Sequence, residues 1–167
     1  WRVCGSEVAK LLGSKVEDSI VFQTGDKPLI PDEEALAAIE QKVTKSTDLI
    51  VGIGSGVIQD LCKYVSHTTG IPCYIVATAP SMDGFASYGA PIVANGFKFS
   101  YDAKSPEVII GDTKILANSP TYLKSSGFGD MIAKYIGLID WQVSALLTGE
   151  YYCPRVAKLT RDAVDIL

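Results

Sequence analysis

Residues 48–63 read DLIVGIGSGVIQDLCK. A short apolar run over 49–53 leads into alternating glycines, Gly52, Gly54 and Gly56, and a helical pattern (Val57, Ile58, Leu61, Tyr64, Val65) follows at once. Strand, glycine turn and helix in direct succession can hold a phosphate. Glycine lets the backbone approach an anion closely, and the first helical N–H groups then point at it, aided by the positive end of the helix dipole. The spacing is G-x-G-x-G rather than G-x-G-x-x-G, and no Gly-Lys-Ser/Thr ending follows, so a tight turn without a ligand fits the same residues.

Two further groups carry potential chemistry. Residues 78–84, TAPSMDG, follow a strand end, where open α/β sheets place ligands. Asp83 can accept hydrogen bonds from a diol, although a Ser/Asp/Gly stretch is also an ordinary hydrogen-bonded turn. Asp130 follows Gly127-Phe128-Gly129, and an acid just after a glycine-containing turn, at the start of a helix, commonly caps that helix. Asp60 and Lys63 are one turn apart and read as a plain pair on a helix surface. Lys134 reads equally as a solvated helix residue or as a charge that attracts a phosphate. His67, the single histidine, reads as an exposed helix-end residue favoured by the dipole.

The elements that must position these residues alternate. A helix is expected over 1–12 (Val3, Val8, Leu11, Leu12), stopped by Gly13, and a strand over 19–23. Pro31-Asp32-Glu33-Glu34 opens a helix with early acids and one apolar face (Ala35, Leu36, Ile39, Val43). The strand at Leu49 and the helix at Val57, which stops near Gly70, precede a buried strand over 72–78, and this alternation predicts a parallel α/β sheet. Asn95-Gly96 between apolar runs predicts a β-hairpin. A last strand is expected over 108–110. A long helix is expected from Pro120 to about residue 139, interrupted near 127–129, with continuous helix from Asp140 broken at Pro154.

Composition bounds the class. A chain of 167 residues is long enough for one core, burying roughly 70% of its unfolded surface. Hydrophobic content of 47%, charged content of 20% and a net charge of −4 fit a globular domain and argue against a nucleic-acid partner, which requires clustered Lys and Arg. Cys4, Cys62, Cys73 and Cys153 form no C-x-x-C pair and read as reduced thiols of a cytoplasmic protein. No segment is long and apolar enough to span a membrane, and the N-terminus lacks the apolar region of a signal peptide.

Three segments, VGIGSGVIQDLCKY, ATAPSMDGFAS and SGFGDMIAKYIGLIDW, resemble in order and spacing the metal-dependent polyol dehydrogenases related to iron-type alcohol dehydrogenases and dehydroquinate synthase. Within that superfamily they are most similar to the sn-glycerol-1-phosphate dehydrogenase branch. DAKSPEVIIGDTKILANSP and TGEYYCP extend the resemblance over nearly the whole chain. The resemblance implies an α/β fold: a Rossmann-like parallel-sheet nucleotide-binding domain with a β-hairpin over 1–118, its first strand missing, then the start of a truncated all-helical metal-binding domain over 119–167. The chain is therefore expected to be a fragment of a longer polypeptide, to which the lack of an initiator methionine also points.

By the same resemblance the cofactor is NAD(P), contacted by Gly54, Ser55, Gly56, Val57, Ile58, Asp60, Thr78, Ser81 and Ser87. Asp83 faces the substrate hydroxyls. Asp130 is the catalytic carboxylate that binds a divalent ion (zinc, nickel or iron) and lies at the substrate, with two histidines further along the polypeptide completing the ligands. His67 is not a ligand, so the fragment alone is expected to be inactive. The expected partner is a small phosphorylated polyol, and the expected assembly a homo-oligomer. The implied reaction interconverts dihydroxyacetone phosphate and sn-glycerol 1-phosphate. Alternatives are a glycerol or other alcohol dehydrogenase of the same fold, a dehydroquinate-synthase-like lyase, and a catalytically dead nucleotide-binding fragment.

Overall fold

The computed structural model describes residues 2–5, 19–22 and 29–167. Five parallel strands form one sheet in the order β2-β1-β3-β4-β7, namely Ser19–Phe22, Arg2–Gly5, Ile50–Gly54, Cys73–Ala77 and Val108–Gly111. The chain moves outward from β1 to β2 on one side and through β3, β4 and β7 on the other. The order therefore reverses between β1 and β3, and the crevice at the carboxyl ends of those strands is where such sheets take ligands. Gly54, the last residue of β3, pairs in register with Ala77 at the end of β4, so the glycine turn and the 78–84 segment leave the sheet side by side.

Helix α1 (Glu33–Glu40) is capped by Asp32, whose side chain accepts from Ala35 N. Helix α2 (Gly56–Thr69) follows the glycine turn and stops at Gly70, whose φ of 76° lies in the left-handed region that glycine enters without strain. Ile39, Ile50, Leu61, Val65, Ile75 and Ile92 are almost wholly buried and form the core between the sheet, α1, α2 and the hairpin. Gly52 permits that packing: a Cβ there would lie 2.8 Å from Cys62 Sγ and 2.9 Å from Ile75 Cδ1. The hairpin pairs β5 (Gly89–Ala94) with β6 (Phe97–Asp102). Asn95 and Gly96 form its turn at φ 52° and 78°, the positive angles a two-residue hairpin loop demands.

A short helix α3 (Thr113–Ala117), capped by Asp112, leads to the long helix α4 (Thr121–Thr148) and then to α5 (Pro154–Asp165). In α4 only Gly127 and Leu138 are buried. Ile136, Leu146 and Leu147 are 62%, 85% and 80% exposed, so α4 offers far more apolar surface than α5 covers.

Several expectations are corrected. Arg2–Gly5 is a strand, not part of a helix; pairing with β2 on one side and β3 on the other outweighs a weak helical spacing. The rest of the expected 1–12 helix and the Gly13 stop lie outside the described residues. Helix α4 runs uninterrupted through 127–129 and on to Thr148. Asp130 consequently lies inside a helix and caps nothing. The break between the last helices falls at Gly149, with φ 74°, and Pro154 opens α5, because its missing N–H costs nothing in a first turn. Val43 lies beyond the end of α1. The strands after Ser19 and Leu49, the strand over 72–78, the hairpin and the last short strand all fall where the sequence places them.

Candidate functional site

The first turn of α2 lacks a side-chain cap. Ser55 occupies the cap position with extended backbone, and its hydroxyl takes no hydrogen bond from the helix. This contrasts with α1 and α3, whose aspartates satisfy first-turn N–H groups. Unsatisfied N–H groups at the positive end of a helix of this length favour an anion. The turn itself is held from within: Gln59 Nε2 donates to Gly54 O at 3.1 Å, and Thr78 N donates to the same oxygen at 3.2 Å.

A cleft of about 360 Å³ opens at this helix end, lined among others by Ser55, Gly56, Val57, Asp60, Ser81 and Lys98. Five of the expected cofactor residues thus share one cavity. Ile58 instead sends its side chain into the core at 5% exposure, leaving only its backbone for a ligand. A Cβ on Gly54 would sit 2.7 Å from Ile58 Cγ1, and one on Gly56 would sit 2.8 Å from Met82 Sδ. Thr78 lies half-buried at the end of β4. Ser87 Oγ accepts from Lys63 Nζ, and Ser87 is not among the residues lining the cleft.

Asp60 is 4% exposed. Burial pushes its carboxyl upward, opposed by the adjacent Lys63 ammonium and more weakly by Lys98. Lys63, read from the sequence as a surface residue, has a side chain with no exposure and lies 3.0 Å from Asp60 Oδ1. That approach is Coulombic rather than a hydrogen bond, since Asp60 Oδ1 has no hydrogen-bond partner. The ammonium's N–H bonds go to Gly84 O at 2.6 Å, Gly89 O at 2.7 Å and Ser87 Oγ at 2.9 Å.

A second cavity of about 420 Å³ shares Met82 with the first and is lined by Asp83, Phe85, Lys124, Phe128 and Met131 among others. Here α4 meets the 78–84 segment backbone to backbone. A Cβ on Gly127 would fall 1.8 Å from Pro80 O, so only glycine fits. One and two turns along, the side chains meet: Asp83 N donates to Asp130 Oδ2 at 3.0 Å, and Lys134 Nζ lies 2.8 Å from Asp83 Oδ2 and 3.6 Å from Asp130 Oδ2. Partial burial lowers the Lys134 ammonium, but the Asp83 hydrogen bond and the charges of Asp83 and Asp130 outweigh it and leave its pKa raised. The structure therefore brings Asp83, Asp130 and Lys134 together, about one side chain away from the uncapped helix.

This cluster supplies two carboxylates and no imidazole. Among the described residues no group of three His, Cys, Asp or Glu side chains could hold a metal ion. His67 is exposed near the end of α2. A bound divalent ion needs more protein ligands than these to stay in place, so the described residues do not by themselves fit a metal site. Sequence reasoning missed Gln59, Lys63 and Met82. Cys62 and Cys73 are buried, as expected of small apolar residues. No helix among the described residues is long and apolar enough to cross a membrane.

A parallel sheet with a glycine turn and an uncapped helix at its switch point, followed by a hairpin and helices, defines a Rossmann-like α/β protein. The profile of the family described as iron-containing alcohol dehydrogenase matches residues 1–120, and the chain belongs to that family. It is 37% identical over 169 aligned residues to glycerol-1-phosphate dehydrogenase (NAD(P)+) of Halalkalibacterium halodurans, covering 99% of this chain and 42% of that protein. It is 36% identical over 135 residues to the protein of the same name from Methanosarcina barkeri, covering 81% of this chain and 38% of the other. The chain thus spans less than half the length of these relatives. Among solved structures, a probable glycerol dehydrogenase from Sinorhizobium meliloti shares the fold at a TM-score of 0.68 and 19% identity, over 81% of this chain and 39% of that one. A glycerol dehydrogenase from Schizosaccharomyces pombe shares it at 0.61 and 24%, over 81% and 36%.

Proposed function

We propose that the polypeptide carrying this chain is a metal-dependent, NAD(P)-linked oxidoreductase that interconverts dihydroxyacetone phosphate and sn-glycerol 1-phosphate. The observation that carries the reading is the meeting of an uncapped helix end with the Asp83–Asp130 contact on the two sides of Met82. Its support from sequence is the 37% identity to a glycerol-1-phosphate dehydrogenase over 99% of the chain. Backbone N–H groups from Ser55, Gly56, Val57 and Ile58 take the dinucleotide pyrophosphate beside Gly54, whose own N–H belongs to the β3–β4 ladder. Asp60, Thr78, Ser81 and Ser87 border the rest of the cofactor, and Asp83 accepts hydrogen bonds from polyol hydroxyls.

When bound, the reduced nicotinamide would supply a hydride to the ketone carbon of dihydroxyacetone phosphate and would itself be oxidised, with water supplying the proton to the carbonyl oxygen. Asp130 is one ligand of the divalent ion (zinc, nickel or iron), with further ligands from polypeptide outside this chain, residues 119–167 being the start of the helical unit that carries them. The reading also makes the protein a cytoplasmic homo-oligomer.

The test is NADH and NADPH consumption by the whole purified polypeptide, with dihydroxyacetone phosphate compared against dihydroxyacetone. A strong preference for the phosphorylated ketone is expected. Equal turnover of the unphosphorylated ketone would reassign the protein to the glycerol dehydrogenases, and cofactor binding without net redox change would reject the reading.

A further inference from the structure

We propose that Lys63 is a positioning residue that ties the anion-binding helix to the loop presenting Asp83. Lys63 is a lysine with a wholly buried side chain, and its ammonium donates to three acceptors on one loop, Gly84 O, Ser87 Oγ and Gly89 O. Burying an ammonium is costly, and an apolar side chain of similar size would hold helix to loop more cheaply. What the charge adds is direction: three hydrogen bonds fix where residues 84–89 sit, with Asp60 at 3.0 Å as counter-charge.

The loop so fixed begins immediately after Asp83. The Asp83 N–H in turn donates to Asp130, and its carboxylate pairs with Lys134. Two further hydrogen bonds reach the loop from outside, Ala103 N to Tyr88 O at 2.8 Å and Ser105 Oγ to Ala86 O at 3.4 Å, and neither reaches Gly84. The Gly84 carbonyl also accepts from Ser87 N and Ser87 Oγ within the loop, while Phe85 packs on the core. Helix α2 therefore presents free N–H groups at one end and, about 10 Å along its axis at 1.5 Å per residue, the backbone of Lys63, whose side chain sets the substrate loop. Two sites that must meet at a hydride's distance are referred to one rigid element. The kinetic part of this inference rests on the proposed function; the structural part does not.

The test uses the whole polypeptide and compares Lys63→Met/Asp60→Asn with Asp60→Asn alone, so that the two proteins differ only at Lys63 and removal of the ammonium does not strand the Asp60 carboxylate. Amide hydrogen exchange across 84–89 should quicken about tenfold or more while β3 and β4 keep their rates. Reduced-dinucleotide affinity should stay within about threefold of the reference while kcat falls about thirtyfold, and adding Asp83→Ala should not multiply that loss, because Lys63 acts through Asp83. Unchanged exchange across 84–89 overturns the proposal, as do kcat losses from Lys63 and Asp83 that multiply independently. Where the double variant does not fold, Lys63→Gln/Asp60→Asn, whose shorter amide cannot reach all three acceptors, takes its place in the exchange measurement: faster exchange across 84–89 upholds the proposal, and an unchanged rate overturns it. A parent polypeptide that reduces no phosphorylated ketone overturns the proposed function and leaves the exchange result to decide the role of Lys63.

Discussion

The main-chain N–H of Asp83 donates to Asp130 Oδ2 at 3.0 Å, joining the segment that leaves β4 to the middle of helix α4. Forty-seven residues separate the two in sequence, and the contact exists because Gly127, three positions before Asp130, lets the helix lie against the Pro80 carbonyl. In the whole polypeptide, Asp130→Asn retains an oxygen to accept from Asp83 N–H and removes the charge. The expected result is a loss of about 10²–10³ in kcat and of bound divalent metal, measured by elemental analysis, with dinucleotide affinity preserved. Normal turnover with full metal content would remove Asp130 from the site.

Gly127→Ala tests the docking itself. Alanine normally gains up to about 1 kcal/mol over glycine inside a helix, but here its Cβ would meet Pro80 O at 1.8 Å. The clash should dominate, with a net destabilisation of about 1–3 kcal/mol. Gly129, with nothing within 4 Å of its ideal Cβ, is the control, and Gly129→Ala should be neutral or stabilising. Urea unfolding of both variants measures the difference. Equal stabilities would mean that α4 does not rest on the Pro80 backbone.

The two glycines that flank Ser55 should fail in different ways. A Cβ at Gly54 runs into the branched Ile58 side chain, and one at Gly56 into the flexible thioether of Met82. Gly54→Ala should lower Tm, because a β-branched core residue cannot step aside. Gly56→Ala should leave Tm nearly unchanged, since methionine repacks readily, and weaken dinucleotide binding about tenfold by narrowing the approach to the helix end. Fluorescence titration beside thermal unfolding separates these outcomes. A Gly56→Ala protein with undiminished affinity would contradict pyrophosphate binding at this turn.

Much of the fold was legible because its signals are local. Asp32 ahead of an apolar-periodic run, Gly70 after one, and Asn95-Gly96 between two apolar runs each act within a few residues. What escaped depends on partners distant in sequence. Strand β1 is four residues long and gains its conformation from two neighbours, which no short window contains. Helix α4 keeps its course through two glycines because one of them is required by Pro80, about forty-seven residues earlier in the chain by the same spacing that separates Asp83 from Asp130. Lys63 reads as half of a surface pair because an i,i+3 Asp–Lys spacing is the same whether the helix face is open or roofed. Only the fold of residues 84–89 shows that it is roofed. The carboxylates of the candidate site were legible one by one, whereas their convergence with Lys134 was not.

Asp60 supplies a prediction whose sign follows from its burial. Its pKa lies above the ordinary value of 3.8, chiefly because burial disfavours the charge, with Lys63 opposing. The folded state therefore holds its proton to higher pH than the unfolded state does. This contributes stability that is fully present below the unfolded pKa and is lost as pH rises through the folded one. Other carboxylates shape the acid limb too, so the informative quantity is the difference from Asp60→Asn. Relative to that variant, the parent's unfolding free energy should decline as pH rises from about 3.8 upward, and then run parallel once Asp60 is ionised in both states. Urea unfolding at a series of pH values measures this directly. Curves that run parallel throughout the acid range would show that Lys63 and Lys98 fully offset the cost of burying the Asp60 carboxylate.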